Sequence, residues 1–273
     1  MNEKHLIVLD LDGTLLKDDK TISHKTKETL SALMQQGHHV MIATGRPFRS
    51  SSQYYTELSL QTPIVNFNGA FVHHPLYPSW GMYHNPLDIK VAQDIVEACH
   101  DFSFHNIIAE VKDDLYFHQH DAKLINAFSL GNPKVTVGDL RNFLGDSPTS
   151  MLIHTEEEHV AMIRKHLSDV HAEVINHRSW AHPVHIIEII KSGLHKAVGI
   201  QQVAKELGIS KERIIAFGDE DNDLEMLEYA GCGVAMGNGL QQVKSVANFT
   251  TLTNEQDGIA VFLEEHFNIK KAI

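Results

Sequence analysis

Residues 5–9, His5 to Leu9, form a short apolar run that stops at Asp10. A run that is apolar at consecutive positions, without polar alternation, reads as a strand buried on both faces, as in a parallel sheet. Ser23 is placed to cap a helix running to about Gln36, with Gly37 as its stop. A second buried strand, Val40 to Ala43, ends at Thr44, Gly45 and Arg46, and a polar helical stretch leads to a third over Ile64 to Phe67. Strands alternating with helices predict an α/β fold with a doubly wound parallel sheet.

The middle of the chain has another texture. From about Asn85 to about Val184 the apolar runs shorten and polar interruptions thicken. Helical periodicity covers Asp88 to Ala98 and Glu156 to Ser168. Two short strands are expected from Asn106 to Phe117 around Asp113 and Asp114, and others over Thr149–His154, Glu173–Ile175 and His185–Ile189. The first pattern then returns. A helix from His195 to Leu207 stops at Gly208, a buried strand from Arg213 to Phe217 ends at Gly218 and Asp219, and a helix covers Leu224 to Ala230. A strand from Gly233 to Met236 and a terminal helix from Asp257 to Phe267 complete it. The expected organisation is therefore a core built from residues 1–84 and 190–273, with an α+β domain inserted over 85–189.

Composition narrows the function. The 273 residues are 42% hydrophobic and 21% charged, as in ordinary globular proteins. A formal charge of −12 opposes general binding to nucleic acid or anionic membrane, so a phosphate-bearing ligand must be drawn by local groups or a metal. Cys99 and Cys232 offer neither a disulfide framework nor a CxxC metal pattern, which fits a reducing cytoplasm. The first residues do not read as a signal peptide, and no apolar stretch approaches the ~18 residues of a membrane span. The 20 histidines fall in no HExxH arrangement; His118 with His120 and His182 with His185 come nearest.

Ligands of open parallel sheets bind at the carboxyl ends of the strands. Here those ends carry Asp10-Leu11-Asp12-Gly13-Thr14, then Thr44-Gly45-Arg46, then Gly218-Asp219-Glu220-Asp221-Asn222-Asp223, while Lys196 opens a helix behind Ser192 and Gly193. Three or four carboxylates make a hard oxygen site of the kind Mg²⁺ prefers. A carboxylate can attack phosphorus and a second can transfer a proton to the leaving group. A lysine, a hydroxyl and backbone amides can hold the equatorial oxygens of a transferring phosphoryl group. Taken singly, each segment also reads as turn chemistry, a helix cap or a surface lysine; their order at successive strand ends favours phosphoryl transfer.

Together these segments resemble the haloacid dehalogenase superfamily of phosphatases, and within it the Cof-type group with a large inserted cap. Asp10-Leu11-Asp12-Gly13-Thr14 matches its DxDGT motif, Thr44-Gly45-Arg46 the second motif, Lys196 the third, and Gly218-Asp219-x-x-Asn222-Asp223 the fourth. Asn66 to Ala70 is similar to that group's Asn-Gly-Ala segment. The resemblance implies Asp10 as nucleophile and Asp12 as acid, then base. It implies Mg²⁺ held by Asp10, the Asp12 carbonyl and Asp219, with Asp223 bonding directly or through water. Phosphate would be held by the Leu11 amide, Thr44, Gly45, Lys196 and Asn222, with Asn68 orienting substrate or nucleophile. The insert would be a cap hinged near residues 82–87 and 188–192. Arg178, Ser179, Trp180, His182 and Glu188 on its return segment would read the leaving group of a small phosphate monoester, such as a sugar phosphate, pyridoxal phosphate or a nucleotide. The protein is expected to be a monomer or small homo-oligomer. A sugar phosphomutase of the same superfamily would use the same aspartates, and a receiver-like phosphoacceptor shares Asp, Mg²⁺, Thr and Lys. Asp12 and the insert favour turnover over the latter.

Overall fold

The computed structural model describes residues 3–171, 175–180 and 185–269. They fall into two compact units. The first comprises Met1–Gly45, Ser51–Met82 and His195–Ile273; the second comprises Arg46–Ser50 and Tyr83–Leu194.

In the first unit, β1 (Leu6–Leu9) is buried at every position, as its unbroken apolar run requires. Helix α1 (His24–Gln35) begins where Ser23 Oγ accepts a hydrogen bond from the Thr26 amide. Strand β2 (His39–Ile42) and helix α2 (Phe48–Glu57) follow. The next strand, β3 (Ile64–Asn66), departs from the sequence expectation. It meets the chain beyond β2 through a parallel bridge between Ala43 and Val65 rather than a full ladder, and pairs antiparallel with β4 (Phe71–His73). Phe67 prolongs the apolar run but not the strand. Phe67 and Asn68 take φ of +50° and +52°, reversing the chain into β4.

Strand β5 (Met82–His84) leads into the second unit. There α3 (Ile89–Cys99), β6 (Asn106–Val111), β7 (Asp114–Phe117) and α4 (Ala122–Phe128) are followed by β8 (Val135–Val137), α5 (Leu140–Phe143), β9 (Ser150–Thr155) and α6 (Glu157–His171). Strands β10 (Ile175–Trp180) and β11 (His185–Lys191) close the unit. The six-stranded sheet has the order β10-β11-β9-β6-β7-β8, antiparallel except for the parallel β7–β8 pair. Alternate side chains serve opposite faces. Ile107, Met151, Ile153 and Ile187 pack with Ile95 of α3 and Leu167 of α6, whereas Ile108, Leu152 and Ile186 pack with Leu124 of α4. Buried Glu110 pairs with Arg49 and accepts from Ser150 Oγ at 2.6 Å.

The first unit resumes with α7 (Lys196–Leu207), ended by Gly208 in the left-handed conformation. Then come β12 (Ile214–Gly218), α8 (Leu224–Tyr229), β13 (Cys232–Ala235), α9 (Gln241–Val246), β14 (Phe249–Thr250) and α10 (Gly258–His266). The main sheet is all parallel, in the order β14-β13-β12-β1-β2. Strand β1 lies between β2 and β12, so the carboxyl ends of the first and fourth motif strands are neighbours.

Candidate active site

Asp10 follows β1, and its amide donates to the Phe217 carbonyl of β12 at 3.2 Å. A tight turn comes next, with the amides of Thr14 and Leu16 both donating to the Leu11 carbonyl. Gly13 takes φ +77° in that turn, and a Cβ there would lie 2.1 Å from Asp219 Oδ2. Glycine thus satisfies the backbone and leaves room for the carboxylate. Thr14 Oγ1 donates to Asp219 Oδ1 at 2.8 Å, and Asn238 Nδ2 donates to the Gly13 carbonyl at 2.8 Å.

Beyond β12, Asp223 folds back so that its Oδ2 accepts from the amides of Asp219 (2.9 Å) and Glu220 (3.1 Å). Lys196, first residue of α7, is fully buried. Its Nζ lies 2.6 Å from Asp10 Oδ1 and 2.6 Å from Asp223 Oδ1. One oxygen from each of Asp10, Asp219 and Asp223 can be chosen so that all three lie within 4.8 Å of one another.

The electrostatics of this cluster are unbalanced. Burial pushes Lys196 down, but Asp10 and Asp223 together outweigh it and hold the ammonium above its ordinary range. Burial raises Asp10 well above the usual carboxylate range; the Lys196 charge opposes it, and the Asp223 and Asp219 charges add to it. Burial pushes Asp219 up to about 7 against the Thr14 hydrogen bond, with Asp223 and Glu220 adding to the rise. Three carboxylates facing one ammonium leave a deficit of two positive charges when all are ionised. A hard divalent cation matches both that charge and this oxygen donor set.

A second line of contacts reaches the other motif residues. The Thr44 amide donates to Val65 O at 2.9 Å, and the Asn68 amide donates to Thr44 O at 3.1 Å. Gly45 lies against the Asn68 side chain, and Asn68 Oδ1 accepts from Asn222 Nδ2 at 2.9 Å. Thr44, Gly45, Asn68 and Asn222 therefore form a continuous path to Asp223. Leu11 is buried in the turn beside Asp10.

Asp12 stands apart from the carboxylate triad, its Oδ1 accepting from Lys20 Nζ at 2.8 Å. Glu188 is buried in β11 of the second unit, in register with Arg178 of β10 and Leu152 of β9. His182 lies outside the described residues. The contacts of Thr14, Lys20 and Asn238 were not foreseen from sequence. Thr14 sits inside the first motif and was the one within reach; Asn238 meets the site through a turn distant in sequence and has no local signature.

The sequence pattern of haloacid dehalogenase-like hydrolases matches residues 7–263. The chain belongs to this family. Over 265 residues it is 62% identical to the 5-amino-6-(5-phospho-D-ribitylamino)uracil phosphatase YitU of Bacillus subtilis, covering 97% of this chain and 98% of the relative. It is 27% identical to the pyridoxal phosphate phosphatase YbhA of Escherichia coli, with 96% and 98% covered. A haloacid dehalogenase-like hydrolase from Bacteroides thetaiotaomicron superposes with a TM-score of 0.83 at 28% identity, covering 97% of this chain and all of that one. This hydrolase is accordingly a phosphatase of small phosphate substrates. Among its described residues no helix is long and apolar enough to cross a membrane.

Proposed function

We propose that this hydrolase removes the phosphate of 5-amino-6-(5-phospho-D-ribitylamino)uracil, using Mg²⁺ and a phosphoryl group carried transiently on Asp10. The observation that carries the mechanism is the buried contact of Lys196 with both Asp10 and Asp223 beside Asp219. The substrate assignment rests on the 62% identity to YitU.

In the first step an oxygen of Asp10 bonds to phosphorus while the bond from phosphorus to the ester oxygen breaks, and Asp12 protonates that oxygen. In the second, Asp12 takes a proton from water as the water oxygen bonds to phosphorus, and the acyl phosphate bond to Asp10 breaks. Lys196 offsets the charge that builds on the phosphoryl oxygens, and Thr44, the amides of Leu11 and Gly45, and Asn222 bind those oxygens. Mg²⁺, held by Asp10, the Asp12 carbonyl, Asp219 and Asp223, would supply the positive charge that lets a carboxylate approach a phosphate dianion. Residues 85–189 serve as the cap in this reading, with Arg178, His182 and Glu188 reading the leaving group and Asn68 orienting it. Two buried free cysteines, Cys99 and Cys232, suit a cytoplasmic setting.

The test is phosphate release from 5-amino-6-(5-phospho-D-ribitylamino)uracil, pyridoxal phosphate and hexose phosphates, with Mg²⁺ and after metal stripping. The first compound should have the highest kcat/KM, and stripping should abolish turnover. A tenfold preference for another compound overturns the substrate assignment; undiminished turnover without metal overturns the mechanism.

A further inference from the structure

The carboxylates of the site are held in two different ways. Asp10, Asp219 and Asp223 are fixed by burial and by Lys196, Thr14 and backbone amides. Asp12 is less buried, as suits a group that meets a leaving oxygen and then a water and must stay open to both. Its side chain is 44% exposed. An open aspartate samples several rotamers, whereas proton transfer needs a heavy-atom separation of about 2.6–3.2 Å.

Lys20 supplies what burial cannot. Its Nζ meets Asp12 Oδ1 at 2.8 Å. An exposed lysine–carboxylate pair normally contributes little, since both side chains lose freedom in making it. Here the lysine stands on a fixed backbone. Its amide donates to Lys17 O at 2.9 Å, and the Lys17 amide donates to Thr21 O at 2.9 Å. Asp19 Oδ1 accepts from the Thr21 amide (3.0 Å) and hydroxyl (2.6 Å). The buried Tyr54 donates its hydroxyl to the Lys20 carbonyl at 3.1 Å. Lys20 itself holds φ +65°, a conformation that residues with a side chain seldom adopt and that tends to persist where a function requires it. At the other end, Asp12 is bridged to Leu16 in the turn after β1.

We propose that Lys20 is a positioning residue, whose ammonium keeps the Asp12 carboxyl in the rotamer that serves the leaving-group oxygen and then the attacking water. The inference rests on the reading of Asp12 as the proton-transfer group. Lys20 touches no reacting atom; its effect passes through Asp12 and scales with how much the leaving group needs a proton.

The experiment uses the full chain with Mg²⁺ and compares Lys20→Met, Lys20→Arg, Tyr54→Phe, Asp12→Asn and the Lys20→Met/Asp12→Asn double variant. Phenyl phosphate, with a poor leaving group, and p-nitrophenyl phosphate, with a good one, are the probes. Lys20→Met should lose roughly 5- to 20-fold in kcat/KM on phenyl phosphate, mostly in kcat, and several-fold less on p-nitrophenyl phosphate. Lys20→Arg should recover most of the loss, and Tyr54→Phe should show a smaller loss with the same leaving-group bias. In the Asp12→Asn background, Lys20→Met should change neither rate further. Equal losses on the two probes, equal losses in the two backgrounds, or no loss at all would each overturn the proposal. Wild-type turnover of phenyl phosphate by Asp12→Asn alone would instead overturn the reading of Asp12, so the two failures are distinct.

Discussion

Gly13→Ala isolates the fit between the turn after β1 and the Asp219 carboxylate. The new Cβ would sit 2.1 Å from Oδ2, 2.8 Å from Cγ and 3.0 Å from Oδ1 of Asp219. Ordinary non-bonded contact begins well beyond that, so the carboxylate must retreat by about 1 Å or the turn must open. The backbone adds to the difficulty: alanine at φ +77° costs about 1 kcal/mol that glycine does not. A retreating Asp219 loses its 2.8 Å hydrogen bond from Thr14 and leaves the carboxylate triad. If Asp219 is the metal ligand proposed above, displacement on this scale should cost roughly 10- to 100-fold in metal affinity, and about 10²-fold in rate when the reacting geometry moves with it. The assay is a Mg²⁺ activation curve with p-nitrophenyl phosphate, paired with calorimetric Mg²⁺ titration and a urea unfolding curve. The half-activating Mg²⁺ concentration should rise at least about tenfold while the variant remains folded. Thr14→Val, which removes the hydrogen bond without the clash, should move the curve the same way by less. A Gly13→Ala enzyme with wild-type Mg²⁺ activation would refute the placement of Asp219 in the metal site.

Three further outcomes follow from other contacts. Lys196→Ala strips the ammonium from two buried carboxylates, so kcat/KM should fall on the order of 10²-fold or more and urea stability by about 3–5 kcal/mol; near-wild-type kinetics would return Lys196 to a packing role. On the proposed mechanism, Asp12→Asn should release a rapid burst approaching one nitrophenolate per site from p-nitrophenyl phosphate and then slow, because a phosphoryl group carried on Asp10 would lose the base proposed to remove it; labelled phosphate trapped on another residue would refute this. Burial beside Phe71 depresses His73 to about 4, so its neutral form favours the folded state. That stability is present above the unfolded value of about 6.5 and is lost as pH falls through about 4, up to about 3 kcal/mol in all; His73→Phe should flatten the acid limb of the stability curve, and an unchanged limb would refute the assignment.

The inner strands of the main sheet were legible because they are continuous apolar runs that end in short polar segments, whereas the edge strand β14, two exposed residues, was not read. Such runs carry their burial in local sequence, as Leu6–Leu9 and Ile214–Gly218 do. The insert was legible only in part. Its longer elements, such as β9 and α6, show a clear period. Strand β8 and helices α4 and α5 are too short to show one; β8 is fixed by pairing with β7, and α4 and α5 by packing Leu124 and Leu140 against the sheet. Phe67 read as strand because apolar continuity does not report a positive φ, which here arises where the Asn68 and Ala70 amides bond to Thr44 and Phe67. At the site, the residues on consecutive motif positions could be named, since DxDGT compresses them into five residues. The Lys20–Asp12 and Asn238–Asp219 contacts could not be, because each depends on how a turn closes in space.

The central strand of the main sheet has consequences for how the molecule is made. Strand β1 pairs on one side with β2, a few dozen residues on, but on the other with β12, where Leu6 meets Ile214. Asp10 and Lys196 are separated by 186 positions. Closing such loops is slow relative to forming local structure. A chain emerging from the ribosome therefore holds β1 with an open edge while the whole second unit is synthesised. That unit, with its own apolar cores, can fold in the meantime. The cluster of Asp10, Lys196, Asp219 and Asp223 assembles only after β12 and Asp223 have emerged. A nascent chain stalled before that point would expose a fully apolar strand to its neighbours and would have no phosphatase chemistry to offer. Ribosome-bound truncations ending before and after β12 should differ in both respects.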